Sequence, residues 1–150
     1  MSGFITAYLK PTNYCNVDCS HCYLPLSVRQ NKSKMSNEEL IKSLQLLKDF
    51  KIKTDKDGIF IIWHGGEPML MGVDFYQKCY EYAQQRGKET GKFIRFSMQT
   101  NLLGYNEKWK DVFSKICGGS ISTSYDPDEV NRTLKGSWEN YSRIFKRSLD

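Results

Sequence analysis

Five apolar residues in a row, Ile59-Phe60-Ile61-Ile62-Trp63, stand between an Asp57-Gly58 turn and the polar stretch His64-Gly65-Gly66-Glu67-Pro68. A run this short and this rich in β-branched residues suits a strand of a parallel sheet buried on both faces. Parallel neighbours need crossover connections, usually helices, so the flanking sequence must supply them. It does so on both sides.

Ile5 to Lys10 reads as a first strand, and Pro11 to Tyr14 leads the chain out of it. Leu24 to Lys34 is polar and irregular. Ser36, with Glu39 three residues on, forms a capping box, and Met35 and Leu40 occupy the staple positions beside it. Leu40, Ile41, Leu44 and Leu47 then fall on one helical face. Phe75, Cys79 and Ala83, flanked by Tyr76 and Tyr80, describe a second amphipathic helix, with Gly87 as its expected stop. Phe93 to Met98 is a third strand. Asn106 caps a third helix with Trp109, Val112, Phe113 and Ile116 on its buried side, and Gly118-Gly119 breaks it. Ser120 to Tyr125 is a fourth strand, and Ser137 caps a fourth helix bearing Tyr141, Ile144, Phe145 and Leu149.

Four βα units predict an α/β fold: a parallel sheet with outer helices. Right-handed crossovers bring all four strand ends to one rim, where ligands bind in barrels and open sheets alike. Each strand ends in polar residues. At 150 residues, 39% apolar and 26% charged, the chain is one ordinary domain and not a disordered one. No apolar run approaches the ~18–20 residues of a membrane span. Met1-Ser2-Gly3-Phe4 leads straight into the first strand without a leader pattern, so a soluble cytoplasmic protein is expected. The net charge of +5 is spread without a dense basic run, and no nucleic-acid partner is expected.

The rim chemistry begins at Cys15-Asn16-Val17-Asp18-Cys19-Ser20-His21-Cys22-Tyr23, a C-x3-C-x2-C spacing. Three thiolates held this close suit a soft metal centre. A closed zinc or iron–sulfur site takes four protein ligands, and no fourth cysteine lies nearby. A [4Fe–4S] cluster on three cysteines leaves one iron open to a small molecule. The alternative is a Cys3His zinc site through His21, although His21 directly precedes Cys22 and adjacent residues rarely reach one ion together. Cys79 and Cys117 stand alone in helical segments and read as buried thiols.

Two further motifs sit at strand ends. In Gly65-Gly66-Glu67-Pro68 the glycines let backbone approach a ligand, and a carboxylate there can accept from an ammonium group. A plain Gly-Gly turn with a solvent-facing Glu67 is the other reading. Gln99-Thr100-Asn101 offers amides to ribose hydroxyls, or an Asx turn that merely ends a strand.

Together these motifs resemble the radical S-adenosylmethionine (radical SAM) enzymes. The C-x3-C-x2-C loop after a strand is that family's signature. Leu9-Lys10-Pro11-Thr12, Tyr23 and Trp63-His64-Gly65-Gly66-Glu67-Pro68-Met69-Leu70 are similar to its anaerobic sulfatase-maturating and peptide-modifying branch. The resemblance implies a partial (βα)6 barrel, of which residues 1–150 would be the core domain cut after its fourth unit. It implies a [4Fe–4S] cluster on Cys15, Cys19 and Cys22, and S-adenosylmethionine (SAM) as second cofactor. Gly65, Gly66 and Glu67 take the SAM amino group on this alignment, with Asn101 in a supporting contact. Ser122-Thr123-Ser124-Tyr125-Asp126-Pro127 is similar to the family's Ser-x-Asp-Gly-Pro without its Gly, which puts Ser124 at the SAM serine position. Lys135 falls at the position of the base that meets the SAM carboxylate, with Arg132 as competitor, and His21 at that of an aromatic leaning on adenine. Leu102 stands where the family has Gly. The implied activity is that of an oxidoreductase: reductive cleavage of SAM to a 5′-deoxyadenosyl radical, and hydrogen abstraction from a peptide or protein. Its electron donor would be a flavodoxin or ferredoxin. A cluster- or zinc-holding module without catalysis is the alternative, and the branch's catalytic acid has no residue here to receive it.

Overall fold

The apolar run occupies the centre of the sheet. The computed structural model describes residues 3–54, 56–91 and 93–149. In it β1 (Phe4–Thr12) and the central strand pair in parallel from Phe4↔Gly58 to Leu9↔Trp63, with an irregularity before Thr12↔Gly65. A short β2 (Asp18–Cys19) lies in the cysteine loop, followed by α1 (Leu26–Arg29) and α2 (Asn37–Thr54). The central strand is β3 (Gly58–Gly65). It is followed by a 3-10 turn over Pro68–Met71, α3 (Val73–Thr90) and β4 (Phe93–Thr100). A helical stretch of 3-10 and π character spans Glu107–Trp109 and Val112–Ile116. It leads to β5 (Ser122–Thr123), β6 (Arg132–Thr133) and α4 (Trp138–Arg147). Sheet order is β1-β3-β4-β5, parallel throughout, while β2 and β6 form a separate antiparallel pair.

Local signals place the helices. The Ser36 N–H donates to Glu39 Oε2 at 2.7 Å, and the Glu39 N–H donates to Ser36 Oγ at 3.2 Å, closing the capping box of α2. Asn106 and Ser137 cap their segments through the N–H of Lys108 and Asn140. Helix α3 runs through Gly87 and ends at Gly91, in the left-handed region at φ 63°. Arg86 and Glu89 form an i,i+3 ion pair that spans Gly87, and one helical glycine costs only about 1 kcal/mol.

The core lies on one face of the sheet. Ile59, Ile61 and Trp63 are buried there, with Phe96 stacked on Trp63 and Phe75 and Tyr76 meeting it edge-on. Burying each such aliphatic side chain contributes roughly 1.5–3 kcal/mol. The opposite face is more open than the run of five apolar residues suggests. Phe60 and Ile62 are half-buried, Tyr8 is 63% exposed, and exposed Arg95 lies over the Phe4 ring. Two expected core residues are outside the core: Ile41, at the edge of its helical stripe, and Leu149, beyond the end of α4, are exposed. The fourth strand shrinks from Ser120–Tyr125 to two residues. Its small hydroxyl side chains are exposed and bring little apolar surface to hold a longer ladder.

Candidate functional site

The ends of β1, β3, β4 and β5 meet over one cavity of about 290 Å³. Cys15, Cys19 and Cys22 line it, together with His21, Gly65, Gly66, Glu67, Asn101, Ser124 and Arg132. Nine of the ten residues expected in the site are therefore gathered. The tenth, Lys135, is exposed on the turn between β6 and α4, away from the cavity lining. There Leu134 and Ser137 exchange backbone hydrogen bonds, and Lys135 and Gly136 both have positive φ, the geometry of a type I′ hairpin turn. Arg132 supplies the cation on the cavity wall instead.

Gly65 and Gly66 are demanded by the fold itself. A Cβ on Gly66 would lie 2.3 Å from the carbonyl oxygens of both Asn13 and Tyr14, and one on Gly65 would lie 2.4 Å from the Thr12 oxygen. Gly65 also has φ 120°, which L side chains rarely adopt. The close approach serves hydrogen bonds: Gly66 N–H to Thr12 O at 3.1 Å and Glu67 N–H to Tyr14 O at 2.8 Å. The Gly-Gly pair thereby clamps the entry of the cysteine loop.

Glu67 is 1% exposed, so the solvent-facing alternative is overturned. Its carboxylate accepts from the Met69 N–H and Thr100 Oγ1 on one oxygen, at 2.8 and 2.7 Å, and from the Asn101 N–H at 2.7 Å on the other. Burial raises its pKa, against the lowering effect of these three donors. Glu67 thus bolts the end of β3 to the end of β4. Asn101 continues the chain of contacts. Its Nδ2 donates to Asn16 Oδ1 at 2.8 Å, 3.9 Å from Cys15 Sγ, and its Oδ1 accepts the Leu103 N–H at 3.0 Å. The Asx-turn reading is realised, and the same side chain braces the cysteine loop. Leu102, expected to stand at a glycine position, has a left-handed backbone at φ 62° and is buried.

Burial pushes the Cys15 thiol up to about 11, with the charges of Glu67, Cys19 and Cys22 adding to the effect. Cys19 is also raised by burial, but the cations Arg132 and Arg29 oppose it. Among the described residues, no three His, Cys, Asp or Glu side chains are gathered tightly enough to share one ion, as a single zinc requires. A cuboidal cluster gives each thiolate its own iron, so the cysteines need not converge on one point. The donor set, three thiols lining one cavity with guanidinium charge beside Cys19, fits such a cluster.

On the far wall, Arg132 pairs with Cys19 across the β2–β6 ladder, and its Nη1 donates to Ser124 O and Oγ and to the Tyr141 hydroxyl. His21 is half-exposed, with Nδ1 3.8 Å from Asp126 Oδ2. Tyr23 Oη donates to Gly65 O at 3.2 Å and lies 3.3 Å from His64 Nδ1. His64, held below its usual pKa by burial and by Lys10, lines the cavity without having been singled out. Its position next to Gly65 was the available signal. Arg29 had none, because its partners are fourteen and ten residues away along an irregular segment.

The Radical SAM superfamily profile matches residues 9–148. The serine-type anaerobic sulfatase-maturating enzyme of Klebsiella aerogenes is 31% identical over 138 residues, covering 88% of this chain and 33% of that protein. The cysteine-type enzyme of Clostridium perfringens is 26% identical over 148 residues, covering 93% and 39%. An uncharacterized protein of Archaeoglobus fulgidus is 28% identical over 147 residues, covering 97% and 31%. Among solved structures, native anSMEcpe with bound AdoMet superposes with a TM-score of 0.67 at 23% identity, covering 97% of this chain and 41% of that one. The complex of the same protein with AdoMet and the Cp18Cys peptide gives 0.67 at 21%. The chain spans about a third of the length of the curated relatives it matches.

Proposed function

The chain belongs to the radical SAM superfamily, and on that premise we propose that it is the cluster- and SAM-binding part of an oxidoreductase acting on a peptide or protein. The observation that carries this is the convergence of Cys15, Cys19 and Cys22 with the Gly-Gly-Glu-Pro and Gln-Thr-Asn strand ends on one cavity. When bound, a [4Fe–4S] cluster and SAM together supply one-electron cleavage of the sulfonium to a 5′-deoxyadenosyl radical that abstracts a substrate hydrogen. The protein supplies binding, orientation and exclusion of water. Cys15, Cys19 and Cys22 hold the iron. Gly65 and Gly66 keep backbone close at the methionine end, and the buried Glu67 carboxylate presents negative charge there. Arg132 takes the SAM carboxylate in place of Lys135. Its guanidinium already sits on Ser124, and a planar fork suits a carboxylate better than an ammonium does. Asn101 braces the loop that carries Cys15, and His21 stands at the adenine side.

The substrate class follows from the maturases among the relatives, one of whose structures holds a peptide. A flavodoxin or ferredoxin in the cytoplasm supplies the electron. Among the described residues no helix is long and apolar enough to cross a membrane.

Anaerobic reconstitution tests the reading. About four irons per chain and release of 5′-deoxyadenosine from SAM under reduction are expected. Cys15→Ala, Cys19→Ala or Cys22→Ala each lose the iron, while Cys79→Ala and Cys117→Ala keep it. A colourless protein with one zinc per chain would refute it.

A further inference from the structure

Arg29 lies outside every motif, at the end of α1, yet it touches the cysteine loop twice. Its backbone carbonyl accepts the Cys15 N–H at 3.0 Å, and its Nη1 donates to the Cys19 carbonyl at 2.8 Å. One residue thereby sets the spacing between the first two cysteines from outside the loop. The guanidinium is otherwise uncommitted. Its Nε–H is buried with no partner among the described residues, and no carboxylate there pairs with its charge. Between residues 1 and 37 the sole acidic residue is Asp18, which is exposed in the described structure. A buried donor left without an acceptor is rare in a folded protein and points to a missing partner. Here the neighbouring groups that can become anionic are the thiols of the loop that Arg29 holds at two points.

We propose that Arg29 is a positioning residue for the iron–sulfur centre: it spaces Cys15 and Cys19 and lends an uncompensated positive charge that favours the reduced cluster. The proposal rests on the cluster reading above. Its physics is simple. One-electron reduction makes a thiolate-bound cluster more negative, and a fixed cation in a partly desolvated wall favours the more negative form. Hydrogen bonding and charge around the sulfurs are established levers on such potentials. The electron delivered at this site is thus accepted more readily than three cysteines alone would allow. Arg132, the other cation beside Cys19, also hydrogen-bonds Ser124 and Tyr141, whereas the side-chain hydrogen bond of Arg29 is to the cysteine loop itself.

The test is a midpoint-potential titration of the anaerobically reconstituted chain, followed by electron paramagnetic resonance, on wild type, Arg29→Gln, Arg29→Met and Arg29→Lys, with iron counted in each. The neutral variants are expected to keep their iron and shift to lower potential. At the wild-type midpoint their reduced-to-oxidised ratio falls about tenfold, equivalent to 59 mV for one electron. Arg29→Lys, which keeps the charge, is expected to stay near wild type. If both neutral variants lose iron while Arg29→Lys retains it, the need for the charge is upheld at the level of cluster retention. Full iron with an unchanged potential in the neutral variants overturns the proposal, as does loss of iron in all three, which would leave a purely structural guanidinium. A wild-type chain that takes up no iron would instead overturn the cluster reading and this inference with it.

Discussion

The two walls of the cavity are built by different means. The wall at the ends of β3 and β4 is part of the core. Glu67 is buried under three hydrogen bonds, and Gly66 is pressed against two backbone carbonyls that no side chain could approach. The wall at β5 and β6 consists of two-residue strands, exposed hydroxyls and a half-buried guanidinium whose Nη1 bonds Ser124 and Tyr141. The first wall is held by burial, so its shape exists before any ligand arrives. The second is held by polar contacts that a carboxylate can replace one for one. Preorganisation sits on one side of the site and exchangeable contacts on the other.

The largest effect that can break this contrast is at Glu67. Glu67→Ala strands the Thr100 hydroxyl and the Met69 and Asn101 amides, and at about 1–3 kcal/mol for each orphaned buried group a loss of about 3–5 kcal/mol is expected in chemical denaturation. A loss under 1 kcal/mol would show that this wall is not held by the carboxylate. The pH dependence sharpens the same point. Burial holds the Glu67 pKa above its ordinary value of 4.5, so the folded chain grips this proton more tightly than the unfolded chain does. The stabilisation linked to that proton is complete below pH 4.5 and is lost as pH rises through the raised pKa. Relative to Glu67→Gln, wild type should lose stability across that window.

Gly66→Ala comes next, at about 3 kcal/mol, because the obstacles to its Cβ are main-chain atoms that cannot swing aside. Leu102→Gly is smaller. Removing a buried leucine costs about 2–3 kcal/mol and relieving its left-handed backbone returns about 1–2, so a net loss of about 1 kcal/mol is expected. A gain in stability would mean that strain outweighs packing there. Arg132→Ala is the smallest for stability, within about 1 kcal/mol. Calorimetry should nevertheless find SAM affinity at least tenfold weaker, with Lys135→Ala unchanged. Equal losses in both variants would erase the distinction between a cavity cation and a turn cation.

Much of this was legible residue by residue. Ser36 with Glu39 announces the start of α2 because a capping box is closed by groups three residues apart. The same holds for Asn106 and Ser137. The end of α3 was not legible: Gly87 and Gly91 are equal as glycines, yet the helix runs through the former and only the latter takes the left-handed conformation that ends it. Lys135 and Arg132 are three residues apart and chemically alike. The hairpin that turns one outward and pairs the other with Cys19 is decided by a contact more than a hundred residues distant.

What the sequence by itself determined is therefore local and periodic: four βα units, their caps, the three-cysteine spacing and the polar strand ends. Apolar periodicity and capping chemistry act within a few residues and need no tertiary partner to be read. What only the tertiary structure decided is who meets whom across the rim. Glu67 faces inward because two strand ends converge on it. Gly66 is obligatory because another loop passes 2.3 Å from where its Cβ would be. Arg29 joins the site because α1 folds back onto the cysteine loop. Burial and long-range hydrogen bonds depend on the assembled sheet, and no window of sequence contains them.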